Sequence, residues 1–336
     1  MFFATKRLLT AVLLLTCFIA NAQSDRKAPA PLFRDPVTDG AADPVMIYNP
    51  IEKAWWMLYT QRRANLELPG VAFCYGNAIG VASSADQGRT WVYRGTLDLE
   101  FEKGHNTFWA PDVVVHNGQF HLFVAYIKGV RSSWGGEARL AHYTSKDLWN
   151  WTFHEFADVG VKNVIDGSLI KMSNGSWRMF FKGPQSNTLM ADSKDLTHWK
   201  AGSDVVIGGP AHEGANVFEY KGYYWMLTDE WKGMRVYRST DLRNWEKQGM
   251  ILDDIGIRPD DHITGAHGDA VVAGDNAYVF YFTHPGRKKH GEATPDENGV
   301  FPYAERRSSI QVAQLVFEDG TLKCRRNEFD FFMADD

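Results

Sequence analysis

Five short segments of the 336-residue sequence open on an acid and run into apolar or β-branched residues. They begin at Asp43, Asp112, Asp166, Glu213 and Asp269. Carboxyl groups brought together in such numbers repel one another, which raises some of their pKa values. A cluster of that kind marks a functional site more often than a structural one. Its chemistry is general acid–base catalysis. A protonated carboxyl delivers a proton to a leaving oxygen, and an ionised carboxylate activates water. Cleavage of a sugar–oxygen bond with inversion needs such a pair about 6.5–9.5 Å apart.

The acids recur because the sequence repeats. Turn-like segments at Ser84–Trp91, Ser145–Trp151, Ser193–Trp199 and Ser239–Trp245 share a Ser-x-Asp core, and the last three read Ser-x-Asp-Leu-x-x-Trp. Ser and Asp side chains at that spacing bond to nearby backbone N–H groups and fix a turn. The closing tryptophans recur every 46–60 residues, close to the length of a propeller blade. Upstream of each turn lies an aromatic strand, such as Ala54–Thr60, Phe120–Tyr126, Trp177–Lys182 and Tyr223–Thr228, with a fifth at Ala277–Thr283. The acid-led segment precedes it. The unit is therefore acid-led strand, aromatic strand, third strand, Ser-x-Asp turn and fourth strand. Five copies predict an all-β, five-bladed β-propeller over residues 23–336, with the stretch Arg306–Phe317 as the third strand of the last blade. First strands line the axis of a propeller, so the acids should converge at one end of it.

Residues 1–22 read as a secretory signal peptide: Lys6 and Arg7, an apolar run, then Ala20-Asn21-Ala22. The protein is expected to be exported, to the periplasm or the medium. Lipid anchoring through Cys17 is the less favoured reading, because Thr16 is bulky for such a signal. No later segment is apolar for the roughly 18 residues of a membrane span. Cys74 and Cys324 are too few and too far apart for a disulfide framework and are expected as free thiols. A net charge of −5 gives no footing for nucleic acid. Aromatic residues make up 14% of the chain, with 12 Trp. Most should fill sheet cores, and some could stack on sugar rings.

Together the motifs Ala42-Asp43-Pro44, Trp109-Ala110-Pro111-Asp112, Ile165-Asp166-Gly167, His212-Glu213-Gly214 and Gly265-Ala266-His267-Gly268-Asp269 resemble glycoside hydrolase family 43 and related five-bladed propeller glycosidases. The resemblance implies an inverting glycosidase with Asp43 as general base, Glu213 as general acid and Asp166 as the carboxylate that tunes the acid. It implies an oligosaccharide or polysaccharide substrate, most readily an α-L-arabinofuranoside or β-xyloside side chain. It matches His267 to an axial histidine that holds calcium or water in some members; the chemistry itself requires no cofactor. Ala215 and Gly167 stand where many members have proline, which leaves the sugar open.

Trp109 and Phe108, at the rim of the expected funnel, are candidates for stacking on sugar, with ordinary packing as the alternative. Asn106, His267 and Arg307 are candidate substrate contacts by position, with His105 and Arg238 behind them. Asp112 and Asp269 are read as structural. The polar segment from Arg287 to Pro302 is either a loop over the site or a plain surface loop. The protein is expected to be a monomer. The competing functions are a carbohydrate-binding propeller without catalysis and a propeller glycosidase for another sugar, such as a galactosidase. A sialidase or a phosphorylase fits less well, since neither an arginine cluster nor a phosphate pocket is legible.

Overall fold

The computed structural model describes residues 26–202, 204–287 and 293–334. The expected leader and Cys17 lie outside them. Five antiparallel four-stranded sheets are built from consecutive strands. Their inner strands are Ala41–Asn49, Thr107–His116, Ile165–Lys171, Glu213–Tyr220 and Ala266–Ala273. The second strands are Ala54–Gln61, Gln119–Ile127, Trp177–Lys182, Tyr223–Asp229 and Asn276–Thr283. The five-bladed propeller read from the repeat is the observed architecture. The third strand of blade 5 is Ser309–Glu318, three residues later at its start and one at its end than the expected stretch.

The second strands are almost wholly apolar because both of their faces are buried, and the alternation of strand side chains decides which neighbour each one meets. Trp56 and Leu58 join the core shared by blades 1 and 2, while Trp55, Met57 and Tyr59 join the core shared with blade 5. Phe123 packs toward blade 3, and Leu122 and Val124 toward blade 1. Each of the five blade junctions has a core of this kind.

The Ser-x-Asp turns behave as their residue types require. Asp147 accepts backbone N–H groups from Trp149 and Asn150, and Trp151 Nε1 donates to the Leu148 carbonyl at 2.8 Å. Blade 5 lacks the motif and turns instead through Asp319 and Gly320, both at positive φ, a pairing suited to a two-residue hairpin. Among the described residues, no strand is exchanged between the first and last blades. The segment before blade 1 instead bridges onto the C-terminal region, through Lys27 to Asp330, Phe33 to Ile310 and Gly40 to Ser308.

Candidate active site

Every inner strand carries a bulge at the same height. The register skips between Ala42 and Val45, Trp109 and Asp112, Ile165 and Ser168, Glu213 and Asn216, and Ala266 and Gly268. A bulge adds an unpaired residue and re-aims its side chain. In four blades that residue has positive φ: Asp43 at 47°, Ala110 at 45°, Asp166 at 56° and Gly214 at 61°. The left-handed region costs an ordinary residue about 1–2 kcal/mol, and Asp bears it better than most. Gly214 has a second reason to lack a side chain, since a Cβ there would stand 2.5 Å from His267 Cδ2.

This register corrects one expectation. The five acids do not occupy one position. Asp43 and Asp166 are equivalent bulge residues, Glu213 comes one residue before that position, and Asp112 and Asp269 come two residues after it. The structure therefore divides them into two tiers along the axis.

The lower tier holds the blades together. Asp112 Oδ2 accepts from Leu169 N at 2.6 Å, and Ser168 Oγ from Val217 N at 3.1 Å. Asn216 Oδ1 accepts from Ala270 N at 3.0 Å, and Asp269 Oδ2 from Met46 N at 2.9 Å. Each side chain thus binds the inner strand of the next blade. Val45 occupies the equivalent position in blade 1 and offers no acceptor. Asp112 ties blade 3 rather than the loop around Trp109. Burial, then the field of Asp269, pushes the Asp112 carboxyl up to about 7. Burial pushes Asp269 up to about 6 against the hydrogen bonds it accepts.

The upper tier opens into a cavity of about 760 Å³, where Asp43, Asp166 and Glu213 meet Arg62, Trp109, Trp134, Lys182, Trp231 and His267. Asp43 is buried, which disfavours its charge. Arg62 Nη2 at 3.3 Å, His267 Nδ1 at 3.5 Å and the Thr60 hydroxyl outweigh burial and hold it down to about 2. Burial likewise opposes a charge on His267, but Asp43, Asp166 and Asp229 raise it to about 9. Asp43 and His267 are therefore a carboxylate–imidazolium pair at neutral pH. Burial, followed by the field of Glu213, lifts Asp166 to about 6 and Asp229 to about 7.

Glu213 is fixed from three directions. Lys182 Nζ donates to Oε2 at 2.7 Å and Trp231 Nε1 to Oε1 at 2.9 Å. Behind it, Gly214 N donates to Asp166 Oδ2 at 3.0 Å, so Asp166 anchors the backbone that carries Glu213. Trp109 forms part of an aromatic wall. Its Nε1 donates to the Cys74 carbonyl at 2.6 Å, and its ring meets Tyr75 edge-on at 4.7 Å and Trp134 at 6.3 Å. Trp134 is 64% exposed and stands at the cavity rim.

Three expected substrate contacts do not reach this cavity. Phe108 is buried in the core between blades 1 and 2. Asn106 is buried too, with Nδ2 donating to Glu100 and Oδ1 accepting from Gly129 N. Arg307 is committed to an ion pair with Asp260 and a longer one with Asp39. Of the residues behind them, Arg238 pairs with Glu246, and His105 bonds to the Gly76 carbonyl. In the Arg287–Pro302 segment, Pro69 bridges to Val300 and Gly70 N donates to the Gly299 carbonyl, while residues 288–292 lie outside the described part. Cys74 and Cys324 are free, and Cys74 lines the cavity.

Among the described residues, no group of three ligating side chains that includes His267 brings its donor atoms within 4.8 Å of one another. No described helix is long and apolar enough to cross a membrane.

Sequence reasoning missed Arg62, Lys182, Asp229, Trp134 and Trp231. A signal existed for Lys182 and Asp229, each a charge closing an otherwise aromatic second strand. Second strands run antiparallel to the inner ones, so their ends return to the level of the bulges.

Fold and site together define a five-bladed propeller with an acidic axial cavity. No family model matches the chain. The chain is 30% identical over 179 residues to a probable arabinan endo-1,5-alpha-L-arabinosidase A of Emericella nidulans, covering 48% of the present chain and 53% of the relative. It thus spans about half the length of that curated relative. Its fold matches a thermostable family-43 glycoside hydrolase with a TM-score of 0.62 at 17% identity, over 90% of this chain and 99% of the other. An exo-1,5-alpha-L-arabinanase from a bovine ruminal metagenomic library matches with a TM-score of 0.61 at 17% identity, over 87% and 99%. The resemblance read from the motifs is borne out: the relatives are arabinan-cleaving enzymes, and the structural neighbours are family-43 propellers.

Proposed function

We propose that the chain is an inverting glycoside hydrolase acting on pentosyl linkages of the α-L-arabinofuranosyl or β-xylosyl type. The observation that carries this reading is the meeting of Asp43, Asp166 and Glu213 in one aromatic-walled cavity. Asp43, held ionised by Arg62 and His267, takes a proton from water as the water attacks the anomeric carbon. Glu213 gives its proton to the departing glycosidic oxygen. Asp166 fixes the backbone behind the acid, and with Asp229 it holds protons beside Glu213 as the pH falls below 6–7. Trp109 and Trp134 offer faces and edges to sugar rings.

The likeness to the probable arabinan endo-1,5-alpha-L-arabinosidase of Emericella nidulans favours a second reading, internal cleavage of 1,5-linked arabinan. Aryl α-L-arabinofuranoside, aryl β-D-xyloside, an aryl galactoside and linear arabinan separate the sugar types. Oligomer products from arabinan select the endo reading, and release of monosaccharide selects side-chain or exo action. Proton NMR of the first product should show the inverted anomer, and a retained anomer would overturn the mechanism. A purely carbohydrate-binding propeller would bind these sugars without turning any over. The leader-like pattern of residues 1–22 supports export to the periplasm or the medium, and we expect a monomer.

A further inference from the structure

Blade 2 carries a cluster of titratable side chains far from the axial cavity. Its third strand is Ala138–Ser145 and its fourth is Thr152–Phe156. His142 pairs with Glu155 and Tyr143 with Phe153, so His154 is the extra residue of a bulge. Consecutive strand residues normally point to opposite faces. The bulge breaks that alternation and brings His154 and Glu155 to the same partner. One donor atom from each of His142, His154 and Glu155 lies within 4.8 Å of the other two.

Two of these groups each leave one buried atom without a hydrogen bond. His142 is 1% exposed, and its Nδ1 is buried with no hydrogen bond. Glu155 Oε1 is also buried without one. Leaving such atoms unpaired in the folded protein is unfavourable. The other nitrogen of His142, Nε2, lies 2.9 Å from His121 Nδ1. With the proton on Nε2 and His121 accepting it, the free lone pair of His142 sits on Nδ1, the buried atom that has no hydrogen bond. Metal-bound histidines are oriented in this way by a second partner on the far nitrogen. His154 Nδ1 and Glu155 Oε1 stand 3.6 Å apart. Ligand atoms on a tetrahedral zinc, with bonds of about 2.0–2.2 Å, are about 3.3–3.5 Å apart.

We propose that His142, His154 and Glu155 form a binding site for a divalent transition-metal ion of the zinc type, with His121 orienting His142. Two imidazoles and one carboxylate suit zinc, nickel or copper and do not suit calcium or magnesium. The exposure of His154 leaves the fourth position to water. The ion would clamp the outermost strand of blade 2 to its neighbour and has no part in the axial chemistry.

Equilibrium dialysis of the EDTA-stripped full chain against Zn²⁺ tests this, with metal content read by mass spectrometry. The wild type should retain one equivalent. His154→Ala and Glu155→Gln should each lose most of it, and the double variant all of it. Both side chains sit on an edge strand, so these variants keep the blade core intact. Co²⁺ should give the visible absorption of a four-coordinate site in the wild type and not in the double variant. Zinc should raise the wild-type Tm by about 2–5 °C at saturating levels and leave the double variant unchanged. Retention of zinc by the double variant, no binding by the wild type, or displacement of zinc by excess Ca²⁺ would each overturn the proposal.

Discussion

Asp269 and Met46 lie 223 residues apart in sequence, yet the Asp269 carboxylate accepts the Met46 amide hydrogen at 2.9 Å. That bond joins the last blade to the first. It is one of four equivalent links, in which a side chain just below the bulge binds the backbone of the following inner strand. The links explain why polar residues sit at these buried positions: inner strands of neighbouring blades are not hydrogen-bonded to each other within a sheet, and side chains take up the amides between them.

Ser168 is one of the two uncharged links, with Asn216. Ser168→Ala leaves Val217 N buried without a partner, which costs about 1–3 kcal/mol. Urea unfolding should show a lower midpoint with an unchanged slope. An unchanged midpoint would mean that the link contributes nothing measurable.

Asp112 makes a pH-dependent contribution. Its folded pKa of about 7 lies above the ordinary value of 3.8. A raised carboxyl pKa means that the fold binds the proton more tightly than the unfolded chain does. Stability therefore falls as pH rises from about 4 through 7. Asp112→Asn keeps an acceptor for Leu169 N and removes the titration. Relative to the wild type it should gain on the order of 1–3 kcal/mol between pH 4 and pH 8. Parallel urea titrations at the two pH values read this difference directly.

Arg62 sets the state of Asp43. The Asp43 carboxyl stays near 2 because Arg62, then His267, overcomes its burial. Arg62→Met removes the largest single influence that holds the carboxyl down and lets burial raise the pKa. The acid limb of kcat/KM should move upward by roughly 1 unit or more. Activity at pH 4.5 should then fall further than activity at pH 7. A uniform loss across the profile would instead assign Arg62 to substrate binding alone.

Gly214 ties conformation to the site. Its φ of 61° and the His267 ring leave no room for a side chain. Gly214→Ala should destabilise the protein by about 1–3 kcal/mol and reduce kcat by displacing Glu213 and His267 together. Crystals of the variant with both residues in place and kcat unchanged would contradict this coupling.

The repeat made the propeller legible, because Ser-x-Asp-Leu-x-x-Trp and the aromatic strands are local devices that recur at blade spacing. The same repeat misled about the acids. Read in line, Asp43, Asp112 and Asp166 each open a strand-like segment. Only the pairing register shows that Asp112 and Asp269 fall two residues past the bulge. Position along a bulged strand depends on partners tens of residues away, and spacing alone does not encode it. Phe108 and Asn106 misled for a similar reason. They flank Trp109 in sequence, but strand alternation turns Phe108 into the core between blades, and Asn106 lies buried in the approach to the strand. Lys182 and Asp229 were visible as charges ending aromatic strands, although their meaning needs the hairpin that returns them to the axis.

Because every blade is four consecutive strands, the ring has one seam with no covalent connection across it, between blades 5 and 1. That seam is held by the core around Tyr59, Phe280 and Phe331, by the Asp269–Met46 bond, and by the strap of residues 27–40 lying on the C-terminal region. Tension applied to the two termini acts on this junction first. The strap peels before any blade shears, the seam then parts, and the four remaining junctions open in turn from the exposed edges. New termini cut into another interblade loop, with the old ends joined by a linker, would move the weak point to a different junction of the same ring.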